Sequence, residues 1–348
     1  MWGTLEDHRR SGRTRRAVAT ATGALLLVST ACSRPDDSDA DDGAGGSGSD
    51  TGSNAELRGE LTVLSYNVAG LPQEISDENP TEHLPLISPL LDDYDVVLTQ
   101  EDFDWWKPLL DTLDFVNYHE RLRADATHEH RTARYPGPEA TGVDLAARPD
   151  LQIGDGLGVL SRFPFADEQR VPWEGCFGGF DTSDGGAADC LAVKGFAVVR
   201  TTFADGVEVD VYTLHAEAGG TTDDQALQED DFAQLAAFVN EHSDGRAVIL
   251  GGDTNLHTES DHPDAGGDAD TVIWQRFLDD TGLTDSCAAL DCAETDSIDK
   301  IAFRSGGGVE LEATDHELPT EQFVDAAGDD LSDHPPVVVG FRWTSSGS

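Results

Sequence analysis

Apolar runs that stop abruptly at a polar side chain recur along this chain and constrain its fold more than any other feature. Residues 61–67 (LTVLSYN), 95–100 (DVVLTQ), 207–216 and 247–250 are short and rich in aliphatic and β-branched residues. Of these, residues 61–67, 95–100 and 247–250 show little polar alternation and read as strands covered on both faces. Their ends carry Asn67, Gln100-Glu101, His215 and Asp253-Thr254-Asn255. Ser332-Asp333-His334-Pro335-Pro336 stands directly ahead of a further apolar run over residues 337–341. A buried carboxylate or imidazole is costly unless paired or metal-bound, so polar groups repeated at the mouths of buried strands point to one assembled site.

Helical patterns separate these runs. Pro80 and Thr81 open a helix with Leu84, Leu86, Ile87, Leu90 and Leu91 on its inner side, and Pro85 and Pro89 predict that it is short or kinked. A second helix is expected over residues 103–113, with Trp105 and Trp106 in its core. Thr221 or Thr222 caps a long amphipathic helix whose inner face holds Leu227, Phe232, Leu235, Phe238 and Val239, and residues 272–278 form another. Residues 156–165 read as a strand ending at Pro164, and residues 190–203 and 207–216 as a hairpin about Asp205-Gly206. Residues 297–304, 309–314 and 337–343 complete the strands, and 121–150 read as a long surface loop. The pattern predicts a four-layer α/β sandwich: two mixed β-sheets packed face to face with helices outside. One domain spans residues 57–343, followed by a tail over 344–348.

The N-terminus reads as an export signal over residues 1–31. Arg9, Arg10, Arg13, Arg15 and Arg16 precede an apolar run over 17–28 that is too short to span a bilayer, which takes ~20 residues. Ser29-Thr30-Ala31-Cys32 is similar to a lipoprotein cleavage box, with Cys32 as the lipidated residue, although Ser29 stands where Leu or Val is usual. Cleavage after Ala31 without acylation is the competing reading, and Arg15-Arg16 also fits a twin-arginine signal. Residues 32–56, rich in Asp, Gly and Ser, form a disordered acidic tether. The chain is therefore expected to be exported, extracellular or held at the outer face of the membrane by its lipid anchor.

The 22 basic residues against 68 acidic ones give a formal net charge of -46. Such a surface repels polyphosphate and disfavours capture of nucleic acid by a basic face. Apart from Cys32, the cysteines are Cys176, Cys190, Cys287 and Cys292. An even number in an exported chain suggests disulfides. Three connectivities exist, and the local pairs Cys176–Cys190 and Cys287–Cys292 are favoured because each closes a short loop. A zinc site competes weakly, since no Cys-x-x-Cys spacing is present.

Asp253 and Asn255 alternate in an extended segment after two glycines, so both can reach one ion or one phosphate. Asp333-His334 sets a carboxylate beside an imidazole, a pairing suited to metal-assisted hydrolysis. Taken in order along the chain, these motifs resemble the endonuclease/exonuclease/phosphatase superfamily, which holds DNase-I-like nucleases, inositol-phosphate phosphatases and bacterial sphingomyelinases. The resemblance implies roles residue by residue. Asn67 would help hold metal or phosphate and Glu101 would bind the metal. His215 and Asn255 would contact phosphate oxygens, and Asp253 would orient the nucleophile. Asp299, in Ser297-Ile298-Asp299-Lys300-Ile301, would support the catalytic imidazole. Asp333 would be a metal-linked acid and His334 the general base. Hard oxygen ligands of this kind select Mg²⁺, or else Mn²⁺ or Ca²⁺.

Within the superfamily, the middle of the chain is similar to bacterial sphingomyelinases and phospholipases C. The shared features are Gly158-Val159-Leu160-Ser161 with Phe163-Pro164, Lys194-Gly195-Phe196, and Leu214-His215-Ala216-Glu217. The resemblance implies a monomeric hydrolase of a phosphodiester substrate, a phospholipid headgroup foremost. An extracellular nuclease or a phosphatase for small phosphate esters is the alternative enzyme reading, and a non-catalytic binding module on the same scaffold is the third. The loop Trp173-Glu174-Gly175-Cys176-Phe177-Gly178-Gly179-Phe180 mixes aromatics with glycines, which could meet a lipid interface or pack beneath the loop. No long apolar hairpin of the kind some sphingomyelinases use is evident.

Overall fold

Alternation inside the apolar runs decides which layer each side chain enters. In the strand β1 (Leu57–Asn67), Leu61 and Val63 face one buried layer while Leu64 and Tyr66 face another. Both sets are dry, so the run is continuously apolar although its side chains diverge. The computed structural model describes residues 56–346, except 74–75, 104–117, 182, 184–185, 260 and 294–296. The expected signal, Cys32 and nearly all of the tether lie outside the described residues, as do Trp105-Trp106 and all but the first residue of the helix expected over 103–113.

Eleven further strands follow β1 among the described residues. They are β2 (Val96–Gln100), β3 (His130–Arg131), β4 (Gly158–Ser161), β5 (Phe165–Pro172), β6 (Gly195–Ala204), β7 (Val207–His215), β8 (Ala247–Asp253), β9 (Thr284–Asp285), β10 (Asp299–Arg304), β11 (Val309–Glu317) and β12 (Val337–Ser345). They form two six-stranded sheets, ordered β11-β12-β1-β2-β4-β3 and β5-β6-β7-β8-β10-β9. Each sheet is mixed. A central parallel pair, β1 with β2 or β7 with β8, is flanked by antiparallel strands.

Val63, Leu98, Val159, Val211, Ile249, Ile301 and Val339 fill the layer between the sheets. The helices lie outside. The helix α1 (Pro80–Leu90) and the one-turn α2 (His119–Leu122) cover the first sheet through Leu84, Ile87 and Leu122 against Leu64, Tyr66 and Val97. After the one-turn α3 (Pro138–Thr141) come α4 (Thr222–His242) and α5 (Ala269–Thr281), which cover the second sheet through Phe232, Leu235, Ile273 and Phe277 against Phe196, Tyr212 and Leu250. A last single turn, α6, spans Ser286–Ala289. Each fully buried aliphatic or aromatic side chain stabilises the fold by about 1.5–3 kcal/mol. This is the four-layer sandwich that the sequence predicts.

Several local expectations need correction. Leu86 is 45% exposed, because it lies two residues, or about 200°, beyond Leu84 on the helix while Ile87 and Leu91 stay on the buried side. Residues 121–150 hold short elements, and His128, Thr132 and Arg148 within them are buried. The chain forms a strand of its own, β5, after Pro164, and the last strand continues past residue 343 to Ser345, opposite Leu57. Thr221 is the N-cap of α4, in a capping box in which its hydroxyl accepts from Asp224 N–H at 3.2 Å and the Asp224 carboxylate accepts from Thr221 N–H at 2.9 Å.

The two sheets come close at the end of β8. A Cβ on Gly251 would stand 2.9 Å from Leu98 Cδ1 and 3.0 Å from Ile301 Cγ1. Gly252 has φ +153°, and a Cβ there would meet Leu214 O at 2.1 Å. Only glycine lets β8 pass here.

Candidate active site

Strand register assembles the site. His215 pairs with Asp253 in the parallel pair β7–β8, and Asp299 pairs with Asp253 in the antiparallel pair β10–β8. Three neighbouring strands thus set His215, Asp253 and Asp299 in a row. On the other sheet, Asn67 pairs with Gln100 across β1–β2, and Glu101 follows at once. The segment bearing His334 enters β12, which runs antiparallel to β1, and Ser332 pins it there by donating to Asn67 O at 2.7 Å. The carboxyl ends of all four parallel strands therefore open on one crevice, where open α/β sheets place their ligands.

Asn67 Nδ2 joins the two halves. It donates to Glu101 Oε1 at 3.1 Å and Asp253 Oδ2 at 3.0 Å, and lies 3.3 Å from His334 Nε2. Its Oδ1 accepts from Ala69 N–H at 3.1 Å, which fixes the amide orientation. His334 Nδ1 is 2.8 Å from Asp299 Oδ2, and His334 Nε2 is 3.8 Å from Asp253 Oδ2. His215 Nε2 is 3.3 Å from the same Asp253 oxygen. Asn255 donates through its backbone to Asp253 Oδ1 at 3.0 Å and through Nδ2 to Ala216 O at 3.1 Å. Asn67, Glu101, His215, Asp253, Asn255, Asp299 and His334 are thus brought together. Asp333 is not in this cluster: it is exposed at the rim, 3.4 Å from the Ser332 hydroxyl.

Two of these residues, Glu101 at φ +53° and Asn255 at φ +49°, hold left-handed backbone conformations that cost ~1–3 kcal/mol each for non-glycine residues. Such strain persists where surrounding contacts over-determine it. Behind Glu101, the buried Asp102 carboxylate is bound by Arg123 and lies 3.1 Å from His119 Nδ1, while Asp102 N–H donates to Gly156 O at 2.9 Å. Thr254, beside Asn255, donates through N–H and hydroxyl to Ile298 O at 2.9 and 2.6 Å, tying β8 to the start of β10.

The electrostatics separate the two histidines. Burial pushes the His215 imidazole down to about 3, helped by Lys194, so it is neutral. His334 is held well above the usual imidazole range. Burial opposes its charge, but Asp299 and Asp253 outweigh burial. Asp299 is pushed up to about 6 by burial, against the pull of His334. Asp253 is also penalised by burial, yet His334, and Lys194 with it, hold it below the usual carboxylate range. Burial raises Glu101, with His334 drawing it back.

Reading the motifs alone gives Lys194 no role, yet it supports the site. Its Nζ pairs with Asp189 Oδ1 at 2.5 Å and donates to Ala216 O at 3.0 Å, beside His215. Asp189 Oδ2 accepts from Ala218 N–H at 2.8 Å. Burial opposes the Lys194 charge, but Asp189 and Glu217 hold its pKa above the ordinary value. The signal available was a lone lysine at the head of an apolar strand, four residues after Cys190. Cys176–Cys190 and Cys287–Cys292 are both disulfides, with Cα separations of 5.2 and 4.9 Å, so no cysteine among the described residues is free to bind zinc as a thiolate. Trp173 is buried beneath the stapled loop and donates through Nε1 to His215 O at 2.8 Å, whereas Phe180 is 50% exposed.

The model of the Endonuclease/Exonuclease/phosphatase family matches residues 64–334, which run from β1 to the imidazole opposite Asp299. The chain belongs to this family. It is 30% identical over 305 residues to proteins named sphingomyelinase from Mycobacterium bovis and Mycobacterium tuberculosis, covering 83% of this chain and 54% of theirs. It thus spans about half the length of the curated relatives it matches. Among solved structures, the Streptomyces griseocarneus sphingomyelinase C superposes with a TM-score of 0.53 at 21% identity, covering 81% of this chain and 99% of that one. A Staphylococcus aureus beta toxin mutant with bound magnesium ions gives a TM-score of 0.55 at 16% identity, covering 81% and 99%. These likenesses show that the family chain carries the same sandwich.

Proposed function

We propose that this chain is an exported, divalent-cation-dependent phosphodiesterase that hydrolyses a phospholipid headgroup in the manner of a sphingomyelinase or phospholipase C. The observation that carries this reading is the His334–Asp299 pair at 2.8 Å, set across one crevice from the carboxylate of Glu101. The 30% identity to sphingomyelinases supports the lipid substrate. The net charge of -46 works against a polynucleotide.

The donor set fits a hard cation. Glu101 is a half-buried carboxylate whose hydrogen bond comes from an amide, and no salt bridge among the described residues neutralises it. Asn67 Oδ1 is engaged by Ala69 N–H, so the Glu101 oxygens are the hard ligands on that side of the crevice. Mg²⁺ is held by one or two carboxylates with its remaining positions wet, and Asp333 at the rim is the second candidate ligand. Bound there, the cation would neutralise phosphoryl oxygens and withdraw charge from the leaving group.

The chain's own groups supply the proton chemistry. In its neutral form His334 takes the proton of the attacking water on Nε2, while Asp299 accepts from Nδ1–H, fixes the tautomer and stabilises the imidazolium that results. Asp253, ionised and 3.8 Å from His334 Nε2, orients that water. Asn67 and Asn255 supply amides, and neutral His215 a dipole, near the phosphate without adding negative charge. Export through the N-terminal signal, acylation of Cys32 and the exposed Phe180 all serve action at a membrane surface as a monomer. No helix among the described residues is long and apolar enough to cross a membrane.

Hydrolysis of sphingomyelin and phosphatidylethanolamine vesicles and of plasmid DNA, each with Mg²⁺ and with EDTA, tests the reading. Lipid cleavage abolished by EDTA and by His334→Ala is expected. Cleavage of DNA without lipid would replace it with the nuclease reading, and lipid turnover that survives EDTA would remove the cation.

A further inference from the structure

The connection from β8 to α5 carries a cluster of donors that the proposed reaction leaves unused. One ring nitrogen each of His257 and His262 and a carboxylate oxygen of Asp264 all lie within 4.8 Å of one another. The two imidazole rings are stacked, with centroids 3.5 Å apart and planes at 13°. Both histidines are half-buried and Asp264 is exposed, so the cluster opens to solvent. No lysine or arginine occurs between residues 257 and 275, whereas Glu259, Asp261, Asp264 and Asp268 all stand there. The local field therefore favours a cation.

The backbone holds these donors in place. His257 N–H donates to Asp270 Oδ2 at 2.8 Å, and Asp270 is fully buried. His262 N–H donates to Glu259 O at 2.9 Å and Ala265 N–H to His262 O at 3.1 Å, with Ala265 itself buried. Asp264 rests on the segment that opens α4: a Cβ on Gly220 would stand 2.4 Å from Asp264 Cα. His262 Nδ1 accepts from Asp264 N–H at 3.2 Å, so a lone pair of that ring already faces residue 264.

Two imidazoles and one carboxylate form a borderline donor set. It suits zinc, or cobalt in its place, and suits Mg²⁺ or Ca²⁺ poorly, since those ions prefer oxygen ligands. We propose that His257, His262 and Asp264 form a zinc-class site, separate from the catalytic cation, that staples the connection between β8 and α5. At zinc–ligand bonds of about 2.0–2.2 Å, tetrahedral geometry sets neighbouring donors about 3.5 Å apart. Movements on the order of 1 Å by side chains that reach solvent close the present spacing to that value. The stacked rings splay as they close, and the His262 Nδ1 lone pair turns from Asp264 N–H to the ion. Water completes the tetrahedron. His257 follows Asn255 by two residues, so the staple fixes the segment that leaves the crevice. Such a site stands whatever ester the chain hydrolyses.

The test uses the full chain, stripped with EDTA and returned to excess Mg²⁺, with ZnCl₂ followed by calorimetry and CoCl₂ by visible absorption. Zinc should bind the wild type despite the Mg²⁺, and cobalt should show the strong visible bands of a four-coordinate site. His262→Ala and Asp264→Asn should each weaken zinc by about tenfold or more, and His262→Ala should abolish the cobalt bands. Asp253, Asp299 and His334 are the competing donor set in the crevice, so His334→Ala should keep the wild-type zinc affinity. Zinc that does not bind, that binds every variant equally, or that is lost in His334→Ala and kept in His262→Ala overturns the site. Zinc should also raise the melting temperature of the wild type by a few degrees and leave that of His262→Ala unmoved. Should His262→Ala fold poorly without metal, Asp264→Asn, which changes only an exposed carboxylate, decides alone: undiminished zinc affinity there refutes the proposal.

Discussion

His334 Nδ1 and Asp299 Oδ2 stand 2.8 Å apart, although the two residues are 35 positions apart in the chain and belong to segments feeding different sheets. The contact spans the sandwich at its open end. Asp299 Oδ1 has no other partner among the described residues, so this carboxylate is committed to the imidazole.

Replacing Asp299 by Asn keeps the side-chain shape but withdraws the anion that holds Nδ1–H. On the proposed mechanism, kcat should fall about 10²–10⁴-fold. Because burial already penalises the Asp299 charge, the melting temperature should stay within a few degrees of wild type. Steady-state kinetics beside calorimetry check both, and a loss of only a few fold would take Asp299 out of the reaction.

Glu101→Gln should reduce cation affinity. Mg²⁺ added at a large excess over its Kd stabilises a protein that binds it only when folded, by about 2.7 kcal/mol at a hundredfold excess. The wild type should therefore melt higher with Mg²⁺ than with EDTA, and the variant should lose most of that gain. An undiminished Mg²⁺ shift in Glu101→Gln would place the ion elsewhere.

Stability should fall as pH rises. Burial pushes Glu217 and Asp231 well above the carboxylate range, with Asp189 adding repulsion to each. The folded chain therefore keeps protons that the unfolded chain releases above about pH 4. This stabilisation is complete below the unfolded values and is lost as pH climbs through the raised ones, at up to about 1.4 kcal/mol per unit for each group. Urea melts between about pH 5 and 8 should show the decline, and Glu217→Gln should flatten it. Parallel curves for the two proteins would contradict the assignment.

Removing the Cys176–Cys190 bridge as a Cys→Ser pair should destabilise the domain by about 2–4 kcal/mol. It should also lower turnover, since Cys190 neighbours Asp189, which anchors Lys194 against Ala216 O. Full turnover in a destabilised double variant would separate the stapled loop from His215.

The strand ends were the most legible part of the chain, because a polar group after an apolar run is conspicuous. Register then turned those ends into neighbours, His215 and Asp299 both opposite Asp253. Less legible were groups whose meaning depends on distant partners. Lys194 reads as an ordinary strand-start lysine until Asp189 and Ala216 O close around it. Asp224, Gln228 and Asp231 on α4 read as solvated helix positions, yet they are buried because the segment after His215 turns back over them. Asp333 shows the opposite case: a neighbour in sequence of the imidazole, it points to the rim while Asp299 takes the inner position.

The narrow passage at Gly251 couples reaction geometry to the thickness of the protein. Glu101 rides on one slab and Asp253 on the other, and Leu98 and Ile301 leave no room for a methyl group where β8 slips between them. The gap between cation ligand and water-orienting acid is thus gauged by how tightly two layers of hydrocarbon close. A swelling of the interior far from any reacting atom would then dull the chemistry well before it loosened the chain.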